Sequence, residues 1–157
     1  MASESPELSE AMDILTKANV VVDANASDKT EAVRMSGQLL VDAGYVAPGY
    51  IDGMLNREES MSTYIGNGVA IPHGEFEDRE LIHSTGLSVL QFPGGLEWGP
   101  DETAHLVIGI AATEDEHLVV LSNLAEVLED PESANELAQT DDPMVIIERL
   151  TRRSEDD

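Results

Sequence analysis

Apolar positions along this chain alternate between a helical period and short continuous runs, and the changes of period mark the predicted elements. Leu15 and then ANVVVD over 18–23 suggest an early strand. In SDKTEAVRMSGQLLVDAGY the apolar residues Ala32, Val33, Met35, Leu39, Leu40 and Ala43 recur at helical spacing. Asp28 with Glu31 three residues later is a capping pattern, and Gly44 stands where that helix should stop. Pro48, with its φ already fixed, opens a second helix over about 48–59, turning Tyr50, Ile51, Met54 and Leu55 to the core.

The stretch 60–68 is rich in Gly, Ser and Asn and reads as a loop. Residues 69–71 form a short apolar run that stops at Pro72-His73-Gly74, since proline cannot donate to a ladder. Another strand is expected over 87–92, closed by a turn at Pro93-Gly94-Gly95, and 106–112 has the unbroken apolarity of a buried strand. Thr113-Glu114-Asp115-Glu116 makes a capping box before a helix reaching about Leu128, whose stripe is Leu118, Leu121, Leu124, Ala125 and Leu128. A last helix follows Pro143 over 144–150. Strands alternating with helices predict one α/β layered domain, with a mixed parallel and antiparallel sheet of about five strands flanked by helices. The core domain is expected over 13–151, between an acidic flexible leader over 1–12 and a charged tail over 152–157.

Composition narrows the options. A length of 157 residues with 41% apolar content suits one packed domain. The start of the chain has neither the positive nor the apolar region of a secretory signal, and no apolar run could span a bilayer, so a cytoplasmic location is expected. Cysteine is absent, which removes disulfides, thiolate metal sites and a Cys nucleophile. Thirty-two acidic residues against eight basic ones give a net charge of -24, which excludes nucleic acid as a partner. The acids are spread along the whole length. They read as a solvated surface adapted to high, halophile-like intracellular salt, where a Debye length of about 3 Å screens their repulsion.

Four histidines, His73, His83, His105 and His117, are then the nucleophilic candidates that titrate near neutral pH. A neutral imidazole nitrogen can attack phosphorus, and the product stays reactive enough to pass the group on. Donors must surround the transferring oxygens, because charge gathers there. His73 lies between Pro and Gly at the end of an apolar strand, a firmly held position that also suits a structural histidine. His117 lies in the first turn of a capped helix, where backbone N–H groups favour anions; a plain surface histidine fits there equally. Arg57 is one of six arginines in a chain that avoids positive charge, and its fork matches phosphate, although a salt bridge with Glu58 or Glu59 is an ordinary use. His83 and His105 have no comparable setting. No HxH or HExxH spacing suggests a metal, and Gly66-Asn67-Gly68 lacks the Lys-Ser/Thr of a phosphate loop.

Three segments, in order, carry a resemblance. MLNREESMSTYIGNGVAIPHG resembles the active-site segment of the enzyme IIA domains of the bacterial sugar phosphotransferase system, mannitol–fructose family. VIGIAATEDEHLVVLSNLAEVLEDPE resembles their second characteristic segment, and EAVRMSGQLLVDAGYVAPGYIDGML the helices between. The likeness spans roughly residues 15 to 150. It implies that His73 is the phosphorylated histidine, that Arg57 contacts the phosphoryl group, and that His117 assists transfer. Thr63 and Asn67 are further candidates for phosphoryl contact. The implied donor is the histidine-containing phosphocarrier protein, and the implied acceptor is a cysteine of enzyme IIB, which serves membrane enzyme IIC. No cofactor is expected. The implied sugar is fructose, or mannitol. A regulatory, nitrogen-type enzyme IIA, whose phosphorylation controls partner binding, is the alternative. The acidity departs from the family pattern and shifts docking toward apolar contact around the His73 loop.

Overall fold

The computed structural model describes residues 14–113 and 117–151, the side chains of His117 and Leu118 excepted. The expected leader (1–12) and tail (152–157), and Glu114–Glu116 of the expected capping box, lie outside the described residues. Five strands form one sheet: β1 (Val20–Val21), β2 (Tyr64–Gly66), β3 (Val69–Ala70), β4 (Gly86–Gly99) and β5 (Glu102–Ala111). Their order across the sheet is β1-β4-β5-β3-β2. β1 runs parallel to β4 and β3 parallel to β5, while the β4–β5 and β2–β3 pairs are antiparallel. The α/β class and the mixed five-stranded sheet agree with the expectation.

The helices are α1 (Lys29–Asp42), α2 (Tyr50–Ser60), α3 (His117–Leu128), α4 (Pro131–Gln139) and α5 (Pro143–Thr151). They cover both faces, and the period-two alternation of β5 sorts its side chains between two cores. Leu106, Ile108 and Ile110 join Leu124, Leu128, Leu137, Ile146 and Leu150 from α3, α4 and α5. Val107 and Ala111 join Ala32, Val33, Leu40, Tyr50 and Met54 from α1 and α2. Gly109 has no side chain because α1 lies against it: a Cβ there would meet Ser88 Oγ at 2.5 Å and Ser36 Cβ at 3.2 Å.

Local signals placed α1 well. The Asp28 side chain accepts from the Glu31 N–H as expected, and Gly44 follows with φ +86°. Ala43, expected in the core, is exposed at the helix end. Other differences come from non-local pairing. The early strand shrinks to Val20–Val21 behind a 3₁₀ turn at Lys17–Asn19. β2 falls inside the predicted loop, because its partner β3 supplies what its own sequence does not. Pro93-Gly94-Gly95 does not end a strand. It makes an irregularity inside β4, with Gly95 at φ +89°, and the reversal comes instead at Pro100-Asp101, with Asp101 at φ 63°.

α4 was not anticipated, although its start is well marked: Pro131 is in its first turn, and the Asp130 side chain accepts from the Glu132 N–H. Gln91, 1% exposed, ties α4 to the sheet. Its amide donates to Leu137 O (2.9 Å) and Thr140 O (2.6 Å), and its carbonyl accepts from the Asp23 N–H (3.0 Å). Replacing it leaves three backbone groups without this partner, one in a buried bond and two in part-buried ones. Gln91→Leu is expected to cost about 2–4 kcal/mol in chemical denaturation, in line with the penalty for unsatisfied buried groups.

Candidate functional site

β3 is two residues long, yet its track along β5 continues beyond Ala70. The Ile71 N–H donates to Thr63 O (3.0 Å), and the Ile110 N–H donates to Pro72 O (2.9 Å). His73 then forms a parallel bridge with Ile110. Pro72 serves here through its carbonyl, so its missing N–H costs nothing on this side. His73 therefore stands half-buried at the end of a strand whose position is set by the sheet centre. Its Nδ1 lies 2.8 Å from Ile71 O. A carbonyl oxygen only accepts, so the tautomer that makes this bond carries its proton on Nδ1 and presents its lone pair at Nε2.

His73 lines a cavity of about 420 Å³ with Tyr50, Arg57, Phe76, Arg79 and Ile110 among its neighbours. Arg57 comes from the last turn of α2 and is half-buried. Its Nη1 donates to Met61 O, which holds the side chain over the helix end. The next residue, Glu58, fixes that end to the sheet. Its buried carboxylate accepts from the Thr63 N–H (3.0 Å), Thr63 Oγ1 (2.5 Å) and Trp98 Nε1 (2.9 Å), with Lys29 Nζ at 3.8 Å. A buried carboxylate with this many donors is satisfied, and losing it would expose all of them.

Tyr50 links the two sides of the cavity. Its hydroxyl donates to Ile110 O and accepts from the Gly74 N–H, each at 2.9 Å. The ring also fills the space beside Gly74, where a Cβ would meet Tyr50 Cε1 at 2.6 Å. A glycine is thus required after His73 by packing. Burial pushes the Tyr50 hydroxyl up from 10.0 to about 12, partly opposed by the Gly74 N–H.

The sequence candidates separate in space. His73 and Arg57 share the cavity. Thr63 and Asn67 do not line it: Thr63 is committed to Glu58, and Asn67 Nδ2 donates to Leu128 O (2.9 Å) and Glu129 O (3.1 Å) at the far end of α3 from His117. His117 is the first residue of α3, which begins shortly after the cavity-lining Ala112; its side chain lies outside the described residues. His83 is exposed, and His105 is half-buried with Nδ1 3.1 Å from Phe92 O. Sequence reasoning missed Tyr50 as a site residue and missed Arg79 and Phe76 altogether. The rarity of arginine, which drew attention to Arg57, applied equally to Arg79. Among the described residues no group of three or more His, Asp or Glu could hold a metal ion, and no helix is long and apolar enough to cross a membrane.

Fold and cavity define a mixed-sheet α/β domain built around one strand-end histidine and two arginines. The chain belongs to the family described as "Phosphoenolpyruvate-dependent sugar phosphotransferase system, EIIA 2", whose model matches residues 13–152, and it is thereby a phosphotransferase component. It is 44% identical to the mannitol-specific phosphotransferase enzyme IIA component of Geobacillus stearothermophilus, over 78% of this chain and 85% of that one. It is 49% identical to a multiphosphoryl transfer protein of Rhodobacter capsulatus over 87% of this chain, which is 17% of that protein. The chain spans about 15 to 30% of the length of the multiphosphoryl transfer proteins it matches. Among solved structures it resembles the crystal structure of mannitol IIA from Escherichia coli, with TM-score 0.80, 38% identity and coverage of 87% and 98% of the two chains. A complex of mannitol IIA with phosphorylated mannitol IIB, also from E. coli, matches with TM-score 0.81 and 38% identity over 87% of this chain and 96% of that one.

Removing the Tyr50 hydroxyl tests how the cavity is held. Tyr50→Phe is expected to lose about 1–3 kcal/mol of stability at neutral pH, because the buried Ile110 O and the part-buried Gly74 N–H lose their partner. The folded state keeps this hydroxyl protonated to about 12, whereas the unfolded state releases it near 10.0. The advantage of wild type over Tyr50→Phe is therefore constant below that lower value and shrinks between the two, as denaturation at pH 9 and about 11.5 will show.

Proposed function

We propose that this domain is a cytoplasmic phosphocarrier, accepting a phosphoryl group on His73 and passing it to a cysteine of an enzyme IIB domain. The observation that carries the reading is the Nδ1 contact to Ile71 O, which presents Nε2 of His73 in a cavity that also holds Arg57. Nε2 attacks phosphorus in line: the new N–P bond forms as the bond to the donor's nitrogen breaks, and the donor imidazole leaves. Positive charge grows on the His73 ring during this step, and the Ile71 carbonyl stabilises it through the Nδ1 proton. Arg57 neutralises the equatorial oxygens, where charge accumulates. In the second half, a thiolate attacks phosphorus and Nε2 is the leaving group. His117, at the start of α3, assists transfer beside backbone N–H groups of the helix end.

The donor is the histidine-containing phosphocarrier protein. The IIA–IIB complex among the structural relatives supports IIB as acceptor, and membrane enzyme IIC is served through it. The sugar named for the enzyme IIA relatives described above is mannitol, which supports the mannitol side of the expected fructose–mannitol pair. Phe76 and Met61, 70% and 67% exposed, supply apolar contact beside the site for partner docking at high salt.

Purified wild type, His73→Ala and His117→Ala can be incubated in molar salt with the phosphorylated carrier. An acid-labile label is expected on wild type and none on His73→Ala. With His117→Ala a label forming roughly 10²-fold more slowly is expected, the size of a lost transition-state contact. Onward transfer of that label to enzyme IIB separates transport from the regulatory alternative. A folded wild type that takes no label would contradict the carrier reading.

A further inference from the structure

Arg79 lines the same cavity as His73 and Arg57. In a chain of net charge -24 with only six arginines, two of them at one cavity is a concentration of a scarce residue. Arg79 belongs to the 3₁₀ turn Phe76–Leu81, which follows directly on the His73 loop. Its guanidinium carbon sits 3.9 Å from the centroid of the Phe76 ring, and its Nη1 donates to Phe76 O at 3.1 Å. Phe76 is 70% exposed, so its ring adds nothing to either core and serves as a shelf for the guanidinium. Glu75, the acidic side chain in the lining, is occupied in closing the turn: it accepts from the Asp78 N–H while the Asp78 carboxylate accepts from the Glu75 N–H.

A phosphoryl group on His73 would carry up to two negative charges into an already acidic molecule. Arg57 offsets one of them, and its Nη1 already serves Met61 O. Arg79 stacks through its face, which uses no N–H, and its fork has more donors than the one bond to Phe76 O requires. A stack on an exposed ring is weak and readily exchanged for charge-assisted bonds to phosphate oxygens.

We propose that Arg79, stacked on Phe76 beside the cavity, is a second phosphoryl-binding residue that closes onto the group carried by His73. This rests on the phosphocarrier reading and adds a residue to it. Arg79 favours the phosphorylated state over the unphosphorylated one, and so sets how the phosphoryl group divides between donor and this domain.

The test compares wild type, Arg79→Gln and Arg79→Lys, each mixed with the phosphorylated carrier protein. Three quantities are read: equilibrium occupancy of His73, lifetime of the phosphohistidine after the donor is removed, and the thermal midpoint of the unphosphorylated protein. Arg79→Gln is expected to shift the transfer equilibrium toward the donor by about tenfold, the worth of one charge-assisted hydrogen bond. Arg79→Lys should recover part of this, because it keeps charge without the fork. The unphosphorylated midpoints of wild type and both Arg79 variants should agree. Wild-type equilibrium and lifetime in Arg79→Gln would overturn the proposal while leaving the carrier reading intact. A loss of occupancy that merely follows a lowered midpoint would overturn it too. Absence of label on wild type itself would instead remove the carrier reading, and this inference with it.

Discussion

The bond from the Ile110 N–H to Pro72 O, 2.9 Å long, is the constraint on which the site depends. It joins a proline that cannot extend its own ladder as a donor to the central strand of the sheet. His73 follows as the last residue bridged to that strand. Tyr50 repeats the attachment from the opposite side, donating to Ile110 O and accepting from the Gly74 N–H. Residue 110 thus holds the chain on both sides of the histidine, through its N–H and its C=O. Ile110 is itself 1% exposed and packs with α3, α4 and α5, so the rigidity of the core reaches the imidazole within one residue.

The division of labour between polar residues follows from this arrangement. Glu58, Thr63 and Trp98 form a closed buried network whose effect is to fix the end of α2, and with it Arg57. Asn67 closes the turn before β3 against the end of α3, with φ 54° in the left-handed region that asparagine tolerates. Glu58, Thr63 and Asn67 sit near His73 in sequence and spend their hydrogen bonds on position. The arginines at the cavity are of a different kind: half-buried or exposed, and tied to the backbone carbonyls of Met61 and Phe76.

Much of the fold was legible in the sequence where the signal is local. The cap at Asp28, the spacing through α1 and the apolar run of β5 each carry their own explanation within a few residues. Tyr64–Gly66 carries a loop signal and becomes a strand only through pairing with β3. Pro93-Gly94-Gly95 carries a turn signal, yet the glycines there only distort a long strand that its partner keeps intact. His73 and Arg57, singled out by their motif setting and by the scarcity of arginine, line one cavity. Thr63 and Asn67 belong to the same segment, but proximity in sequence does not distinguish lining the cavity from bracing it. Arg79 and Phe76 lie in a six-residue 3₁₀ turn, too short for any periodic signal. Only the folded chain brings them beside the histidine.

The most direct measurement is the identity of the reacting nitrogen, read by NMR on protein with ¹⁵N-labelled histidine, before and after phosphorylation. Before, His73 should show the tautomer protonated at Nδ1. After, coupling to ³¹P should appear at Nε2 while Nδ1 keeps its bond to Ile71. Phosphorus on Nδ1, or a resting His73 protonated only at Nε2, would show that the Ile71 carbonyl does not set the chemistry of this site.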